Sequence, residues 1–229
     1  QCLSNTIPLT DYFLGFDYAS ELNVDNVLGT GGHLAKSYAK LMNHVWEFSP
    51  SKKDKSNHIR PDWFRQDLSK FCSHLFSAEA YDQPQEDAQE FLAYLLDSIH
   101  EDLNRVPSNK KIYIDSLNLK EGATDEEHAV IAWESYLKRN KSIIVDLFQG
   151  QLRSTLICLT CHNKNILFDP FMYLSIPVNK DLMSDTHDNK NISLDDCLDL
   201  FLSEEHLVGD NAWYCPTCKK HVEATKKFD

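Results

Sequence analysis

Two pairs of cysteines with the same spacing are the residues best suited to chemistry. They are Cys158 with Cys161 and Cys215 with Cys218, each a C-x-x-C unit. Each unit presents two sulfurs to one point, and four thiolates about 2.3 Å from a Zn²⁺ make the closed shell of a structural site. The spacing therefore predicts one zinc shared by all four cysteines, as in a zinc ribbon. Because such a shell leaves no position for a catalytic water, the predicted role of the metal is to hold the fold.

Other interpretations of the cysteine pairs stay open. A single C-x-x-C unit can act in thiol–disulfide exchange, and two such units can also be exposed turns without a metal. His162 and His221 adjoin the pairs, so either imidazole could replace a sulfur as a ligand. Since all four thiols are available, we expect both histidines to be solvated surface residues.

A run of acidic residues in 85–92 is the second group with chemical potential. Asp87 and Glu90 are three residues apart, so on a helix they occupy neighbouring positions of one face. Acidic residues at a helix start are stabilised by the helix dipole by about 0.3–1 kcal/mol and need no further role. Receiving a basic peptide is the alternative, and spacing alone favours the purely structural role.

Helices are predicted to position the acidic residues in the first half of the chain. Apolar residues recur at helical spacing in 34–46, in 63–75 and in 88–103. This period predicts three helices, the third opening at Gln85 and ending near Asn104. The mixed, charged stretch 105–129 predicts a loop insertion, and the apolar residues of 133–137 predict a short helix after it.

Strands are predicted to carry the cysteines in the second half. The residues 143–148, the alternation in 151–156 and the apolar run 166–168 are typical of strands. The segment 180–191 is polar and predicts a loop, after which Ser193 is placed to cap a helix with Asp195 and Asp196 in its first turn. The sequence therefore predicts an α+β fold with a helical lobe, 1–142, and a β-rich lobe, 143–229.

Composition and charge restrict the class of protein and its partners. The chain has 229 residues, 42% of them hydrophobic and 25% charged, as in ordinary globular proteins. A formal net charge of -12 disfavours nucleic acid and anionic membranes and favours a basic protein surface. A zinc-ribbon nucleic-acid binder would need a basic face, so that class is disfavoured. Without a signal-like segment or a run of about 20 apolar residues, a cytoplasmic or nuclear location is predicted.

Four segments resemble, in order, motifs of the ubiquitin-specific proteases, a branch of the papain-like cysteine proteases. The segments are 85–104 (QEDAQEFLAYLLD, then HEDLN), 145–152 (VDLFQGQL) with the first cysteine pair, 168–177 (FDPFMYLSIP) and 214–221 (YCPTCKKH). The resemblance covers nearly the whole chain. Glu86 departs from it, because relatives more often carry Gln or His there.

The resemblance implies a hand-like fold with thumb, palm and fingers. Residues 1–142 then correspond to the helical thumb with its insertion 105–129, and 143–229 to the fingers with the zinc ribbon. It implies thiol-dependent hydrolysis of isopeptide or peptide bonds at the ubiquitin C-terminus. The implied partners are ubiquitin and ubiquitinated proteins, with no nucleic acid or membrane. It also implies that Asp87 and Glu90 contact the arginine-containing tail of ubiquitin, which suits carboxylate–guanidinium pairing.

The resemblance places no catalytic residue within this chain. The family's nucleophilic cysteine is expected upstream of Gln1, so Cys2 is not the nucleophile, and the catalytic histidine is expected downstream of Asp229. A thiol attack needs a base and a group that orients the base. We therefore expect these 229 residues alone to be inactive. A catalytically inactive ubiquitin-binding pseudoenzyme is the alternative. Only residues outside this chain distinguish the active enzyme from the pseudoenzyme.

Overall fold

The chain folds into two compact units, one of residues 1–115 with 137–148 and one of residues 116–136 with 149–229. The computed structural model describes residues 1–15, 18–46, 60–73, 75–76, 86–107, 122–178 and 192–229. Gln85, the predicted loop 180–191 and residues 108–121 of the predicted insertion lie outside the described residues. The predicted lobe boundary between 142 and 143 stays a prediction. In the described ranges, no helix is both long enough and apolar enough to cross a membrane.

The helices are α1 (Ile7–Leu14), α2 (Tyr18–Glu21), α3 (His33–Trp46), α4 (Asp62–Phe71), α5 (Ala88–Asp102), α6 (Asp125–Leu137), α7 (Ile143–Phe148) and α8 (Leu194–Phe201). Short 3₁₀ turns occur at Leu3–Asn5 and Gly209–Asn211. The strands are β1 (Gly150–Cys158), β2 (Lys164–Phe171), β3 (Glu205–Leu207), β4 (Trp213–Cys215), β5 (Lys220–Val222) and β6 (Ala224–Phe228). The α+β prediction is confirmed, as is the helix expected in 34–46. The helix expected in 63–75 is confirmed up to Phe71, where α4 ends.

The core of the first unit is built from α1, α3, α5 and α7. Its fully buried apolar side chains include Leu9, Phe13, Leu34, Tyr38, Ile99, Leu103 and Ile144. The rings of Phe13 and Tyr38 meet edge to face at 4.9 Å between centroids. Burying each such side chain stabilises the fold by about 1.5–3 kcal/mol, so these helices hold one another in place.

Helix α5 carries the acidic residues and begins later than predicted. Its first residue is Ala88, not Gln85, because Asp87 has an extended backbone and caps the helix. The Asp87 carboxylate accepts hydrogen bonds from the backbone N–H groups of Gln89 and Glu90. A short acidic side chain at this position satisfies donors that have no partner within the helix.

The other end of α5 contains a fully buried carboxylate, that of Asp102. It accepts hydrogen bonds from the backbone N–H of Thr30 at 2.6 Å, from that of Gly32 at 3.1 Å and from that of Ala35 at 3.1 Å. The Thr30 hydroxyl donates a fourth bond at 2.6 Å. The start of α3 is thus capped by a residue that lies far away in sequence.

Residues 143–148 form helix α7, so the strand predicted there is wrong. Ser142 begins the helix, since its Oγ accepts from the N–H of Val145 at 3.3 Å and its carbonyl from that of Asp146 at 3.0 Å. Ile144 and Val145 are buried in the first unit. β-Branched residues only mildly disfavour a helix, and burial of an apolar face outweighs that preference.

The second unit contains a four-stranded antiparallel sheet with the strand order β2-β1-β6-β3. In its centre, Ser154 of β1 lies opposite Leu167 of β2 and Phe228 of β6. The strands β4 and β5 form a separate antiparallel pair. The strands predicted in 151–156 and in 166–168 are confirmed.

Two capping boxes start the helices of the second unit. In α8 the Ser193 hydroxyl and the Asp196 carboxylate accept each other's backbone N–H groups, as predicted for Ser193. In front of α6 the N–H of Glu127 donates to Thr124 Oγ1 at 3.2 Å, and that of Thr124 to Glu127 Oε2 at 2.9 Å. Helix α6 therefore begins at Asp125. The loop predicted over 105–129 is wrong for residues 125–129, which belong to this helix.

Candidate functional site

The four paired cysteines come together at one end of the second unit. Cys158 is the last residue of β1 and Cys215 the last of β4. Cys161 lies in the turn before β2, and Cys218 in the turn that joins β4 to β5. The four Sγ atoms lie within 4.8 Å of one another, so this group could hold a metal ion.

The sulfur separations suit a tetrahedral ion. We call residues 158–161 the first knuckle and residues 215–218 the second knuckle. Between the knuckles, Cys158 Sγ lies 3.9 Å from Cys218 Sγ, and Cys161 Sγ lies 3.6 Å from Cys215 Sγ. Four sulfurs placed tetrahedrally about 2.3 Å from one ion are about 3.8 Å apart. The geometry therefore fits a four-thiolate metal site.

The two knuckles repeat the same backbone hydrogen bond. The N–H of Cys161 donates to Cys158 Sγ at 3.3 Å, and the N–H of Cys218 donates to Cys215 Sγ at 3.4 Å. An N–H group aimed at a sulfur favours its thiolate form, which is the form that binds a metal. Both knuckles are thus locally arranged as ligand pairs.

The residue after each knuckle has a left-handed backbone. His162 has a φ of 58° and Lys219 a φ of 54°. Their N–H groups turn back to the carbonyls of Cys158 at 2.9 Å and of Cys215 at 2.8 Å. This tight reversal brings both sulfurs of a knuckle to the same side of the chain.

The neighbouring histidines do not belong to the group. Within the described residues, the candidate ligands that cluster here are the four cysteines. His162 is exposed, and the exposed ring of His221 packs edge to face on Tyr214 at 5.5 Å. The expectation that both histidines are surface residues agrees with this arrangement.

The thiols influence one another's ionisation. Burial opposes ionisation of Cys158, but the N–H groups of Cys161 and Thr160 and the thiols of Cys161 and Cys215 lower its pKa to about 6. The thiol of Cys161, together with burial and the other thiols, raises the pKa of Cys218 to about 12. The thiolate of Cys158 is therefore favoured and that of Cys218 is opposed. A bound cation would remove that opposition, which again fits a metal site.

A small apolar cluster surrounds the sulfurs. Cys158 and Cys215 are fully buried, and Val222, Trp213 and Cys218 complete the cluster. The sequence interpretation did not single out Trp213 and Val222. Their positions, two residues before and four residues after the second knuckle, are the signal that could have identified them. These contacts enclose the side chains of Cys158 and Cys215.

The acidic residues at the start of α5 face solvent. Asp87 and Glu90 are both exposed. Asp87 Oδ1 accepts from the N–H of Gln89 at 2.7 Å and from that of Glu90 at 3.3 Å. Asp87 Oδ2 has no hydrogen-bond partner among the described residues. One oxygen thus caps the helix while the other remains available to a ligand.

Comparison with known proteins identifies the family. Residues 1–222 match the model of the family "Ubiquitin carboxyl-terminal hydrolase". The protein named ubiquitin carboxyl-terminal hydrolase 15 is 45% identical in Xenopus tropicalis and 46% identical in Homo sapiens, in each case over 178 residues. Ubiquitin carboxyl-terminal hydrolase 4 of Bos taurus is 43% identical over 178 residues. These matches cover 78% of this chain and 17% of each relative's length.

The chain belongs to the ubiquitin carboxyl-terminal hydrolase family. The predicted resemblance to ubiquitin-specific proteases, which are cysteine-type enzymes, is confirmed by this match and by these relatives. The chain spans less than a fifth of the length of the relatives, at 17%. The activity of the whole protein is therefore a proposal.

Proposed function

We propose that this chain is the ubiquitin-recognising part of a cysteine-type deubiquitinase that hydrolyses isopeptide or peptide bonds at the ubiquitin C-terminus. The observation that carries this proposal is the family match over residues 1–222. The nucleophilic cysteine is proposed to precede Gln1 and the catalytic histidine to follow Asp229. The 229 residues alone then supply substrate binding without hydrolysis.

Asp87 and Glu90 are proposed to bind the basic tail of ubiquitin. Both carboxylates are exposed on the first turn of α5 or next to it. The cap uses Oδ1 of Asp87, which leaves Oδ2 to accept from a guanidinium group. Charge-assisted bonds of this kind are about twice as strong as neutral ones. The helix cap and the tail contact are thus compatible roles for one side chain.

The cysteine group is proposed to hold a structural Zn²⁺. Four thiolates make the site closed, tetrahedral and soft, which suits Zn²⁺. Separations of 3.6 and 3.9 Å between sulfurs of opposite knuckles support the assignment. The ion would fasten β1 to the β4–β5 pair, because Cys158 ends one strand and Cys215 ends another.

The proposed partners are ubiquitin and ubiquitinated proteins, in the cytoplasm or nucleus. A net charge of -12 suits a basic protein partner and opposes nucleic acid and anionic membranes. The names of the relatives, which refer to the ubiquitin C-terminus, support the same choice.

Hydrolysis by the full-length protein tests the activity. We expect it to release a fluorophore from the C-terminus of ubiquitin, and we expect a thiol alkylator to stop the release. Absence of release with ubiquitin still bound would indicate the pseudoenzyme alternative. Loss of both release and binding would contradict the proposal.

Variants that separate capping from charge test the tail contact. Asp87→Ser keeps a capping side chain but removes the carboxylate, whereas Asp87→Ala removes both. We expect Asp87→Ser combined with Glu90→Gln to weaken ubiquitin binding at least tenfold while thermal stability is nearly unchanged. If ubiquitin affinity is unchanged, Asp87 acts only as a helix cap. The exposed pair Asp195→Asn and Asp199→Asn in α8 is the charge-matched control.

A further inference from the structure

Two sulfur contacts run between the knuckles, within a group whose four sulfurs all lie within 4.8 Å of one another. The Sγ atoms of Cys158 and Cys218 are 3.9 Å apart, and those of Cys161 and Cys215 are 3.6 Å apart. A disulfide has a sulfur separation of about 2.05 Å, so each pair needs to approach by less than about 2 Å. Without an ion between them, these sulfurs are placed to bond to each other.

Accessibility differs within each pair in the same way. Cys158 and Cys215 are fully buried, whereas Cys161 is exposed and Cys218 is partly exposed. Each contact between knuckles therefore joins a more exposed cysteine to a buried one, as each knuckle itself also does. An oxidant can reach the first, and the second lies within reach to complete a disulfide.

We propose that oxidation converts the metal site into two disulfides between the knuckles, Cys158–Cys218 and Cys161–Cys215, and that the protein thereby exchanges one crosslink for another. This inference rests on the proposed zinc site for its starting state. The disulfide pattern itself depends only on the sulfur positions. The oxidant is a peroxide such as hydrogen peroxide.

The reaction balances with one peroxide for each disulfide. The Cys161 thiolate attacks a peroxide oxygen, the O–O bond breaks, and a sulfenic acid and hydroxide form. The Cys215 thiolate then attacks that sulfur, the S–O bond breaks, and hydroxide leaves as the S–S bond forms. In the zinc-bound state all four sulfurs are thiolates, so Cys218 and Cys158 react in the same way. The thiolate charges that bind a divalent ion are then gone, so the ion is released.

Crosslinks between the knuckles preserve the local fold in a way that bonds within a knuckle cannot. The two pairs close loops between residues 60 and 54 positions apart in sequence. A bond within one C-x-x-C unit closes a loop of three positions and leaves the knuckles free to separate. Since the stabilisation by a disulfide grows with the loop it closes, the proposed pattern keeps β1 joined to the β4–β5 pair.

Peptide mapping of the whole chain tests the proposal directly. Reduced, zinc-loaded protein and reduced, metal-free protein are each treated with hydrogen peroxide, blocked with an alkylator and digested with trypsin without reduction. Residues 154–164 form one tryptic peptide with both cysteines of the first knuckle, and 191–219 form another with both of the second. We expect disulfides to join these two peptides. We expect the amount of zinc released, measured with a chromogenic chelator, to rise in proportion to the amount of joined peptide.

Several outcomes would overturn the inference. Unlinked peptides that each contain an internal disulfide would show bonding within the knuckles, and sulfinic acids in place of disulfides would exclude the exchange. Protein that binds no zinc at the outset would contradict the proposed zinc site, while the metal-free sample would still report the disulfide pattern. The two failures are therefore distinguishable.

Two variants assign the individual bonds. Cys197→Ala removes the third cysteine of the peptide 191–219, a buried thiol outside the cluster, and should leave both disulfides in place. Cys161→Ser should leave only Cys158–Cys218, with Cys215 alkylated. A disulfide between Cys215 and Cys218 in that variant would contradict the pairing.

Discussion

Thr30 donates two hydrogen bonds to Asp102, from its backbone N–H and from its hydroxyl, both at 2.6 Å. The carboxylate lies at the end of α5, and its other donors belong to Gly32 and Ala35 at the start of α3. Asp102 therefore joins two helices of the core through a fully buried carboxyl group. A buried carboxylate is stable only while its donors are in place.

Asp102→Asn is expected to lower the free energy of unfolding by about 2–4 kcal/mol, because an amide N–H₂ would face N–H donors. Urea denaturation measures the change. Asp11→Asn, an exposed position in α1, is the control and should change stability by less than about 0.5 kcal/mol. Equal effects of the two variants would contradict this role.

Gly29→Ala is expected to destabilise the same junction. A Cβ at position 29 would lie 2.9 Å from Asp102 Oδ1 and 3.3 Å from the backbone carbonyl of Glu101. Displacing a buried carboxylate and backbone should cost about 1–3 kcal/mol, which thermal unfolding can detect. A melting temperature equal to that of the wild type would contradict the prediction, because it would show that the loop before α3 can shift to make room for the added Cβ.

Arg105→Lys tests a two-carboxylate bridge in the first unit. Arg105 Nε lies 2.8 Å from Glu21 of α2, and Nη1 lies 2.8 Å from Asp146 of α7. A lysine cannot reproduce this fork, so we expect a loss of about 1–2 kcal/mol in urea denaturation. Arg60→Lys is the matched control, because its pair with Asp62 is long at 3.8 Å and largely exposed. Comparable losses in both variants would contradict the bridge.

Asp67 predicts a small pH dependence of stability. Burial opposes its ionisation, but the side chains of Lys70 and Ser37 outweigh this and hold the pKa of Asp67 below its ordinary value of 3.8. A lowered pKa stabilises the folded state above pH 3.8, and the contribution is lost as the pH falls through the folded-state pKa. Asp67→Asn should therefore cost about 0.5 kcal/mol at pH 7 and progressively less below pH 3.8. A loss of stability in Asp67→Asn that grows as the pH falls would contradict the predicted direction.

Cys215→Ala is expected to abolish metal binding. Native mass spectrometry of the whole chain should show one ion in the wild type and none in the variant. A closed site loses much of its metal affinity when one of its four ligands is removed. Hydrogen exchange should become faster in β4 and β5. Cys197→Ala, at another buried thiol outside the cluster, should retain the ion. Full metal occupancy in Cys215→Ala would contradict the assignment.

The sequence predicted the elements whose apolar pattern is long and periodic. Helices α3 and α4, most of α5 and the strands β1 and β2 follow from that pattern. Helix α7 does not, because Ile143–Phe148 is short and rich in β-branched residues. Its helical form depends on Ser142 and on burial in the first unit, neither of which a local pattern contains.

Some features of the candidate site could be predicted from the sequence and others could not. The C-x-x-C spacing was sufficient to predict that the four cysteines meet. It could not predict the sulfur separations between the knuckles, since these depend on how β1 and β4 end. For Asp87, spacing predicted an acidic helix start, but the start at Ala88 became clear only from the backbone of Asp87.

The left-handed residues that follow the knuckles have an energetic consequence. His162 and Lys219 are not glycines, so a positive φ costs each of them about 1–2 kcal/mol. Their backbone hydrogen bonds to Cys158 and Cys215 offset part of this cost, and an ion held by the sulfurs would offset more. This end of the second unit should therefore lose its order when the proposed zinc is removed. Among the described residues, the metal-ligand cluster lies in this unit and not in the helical core of the first, so that core should remain folded.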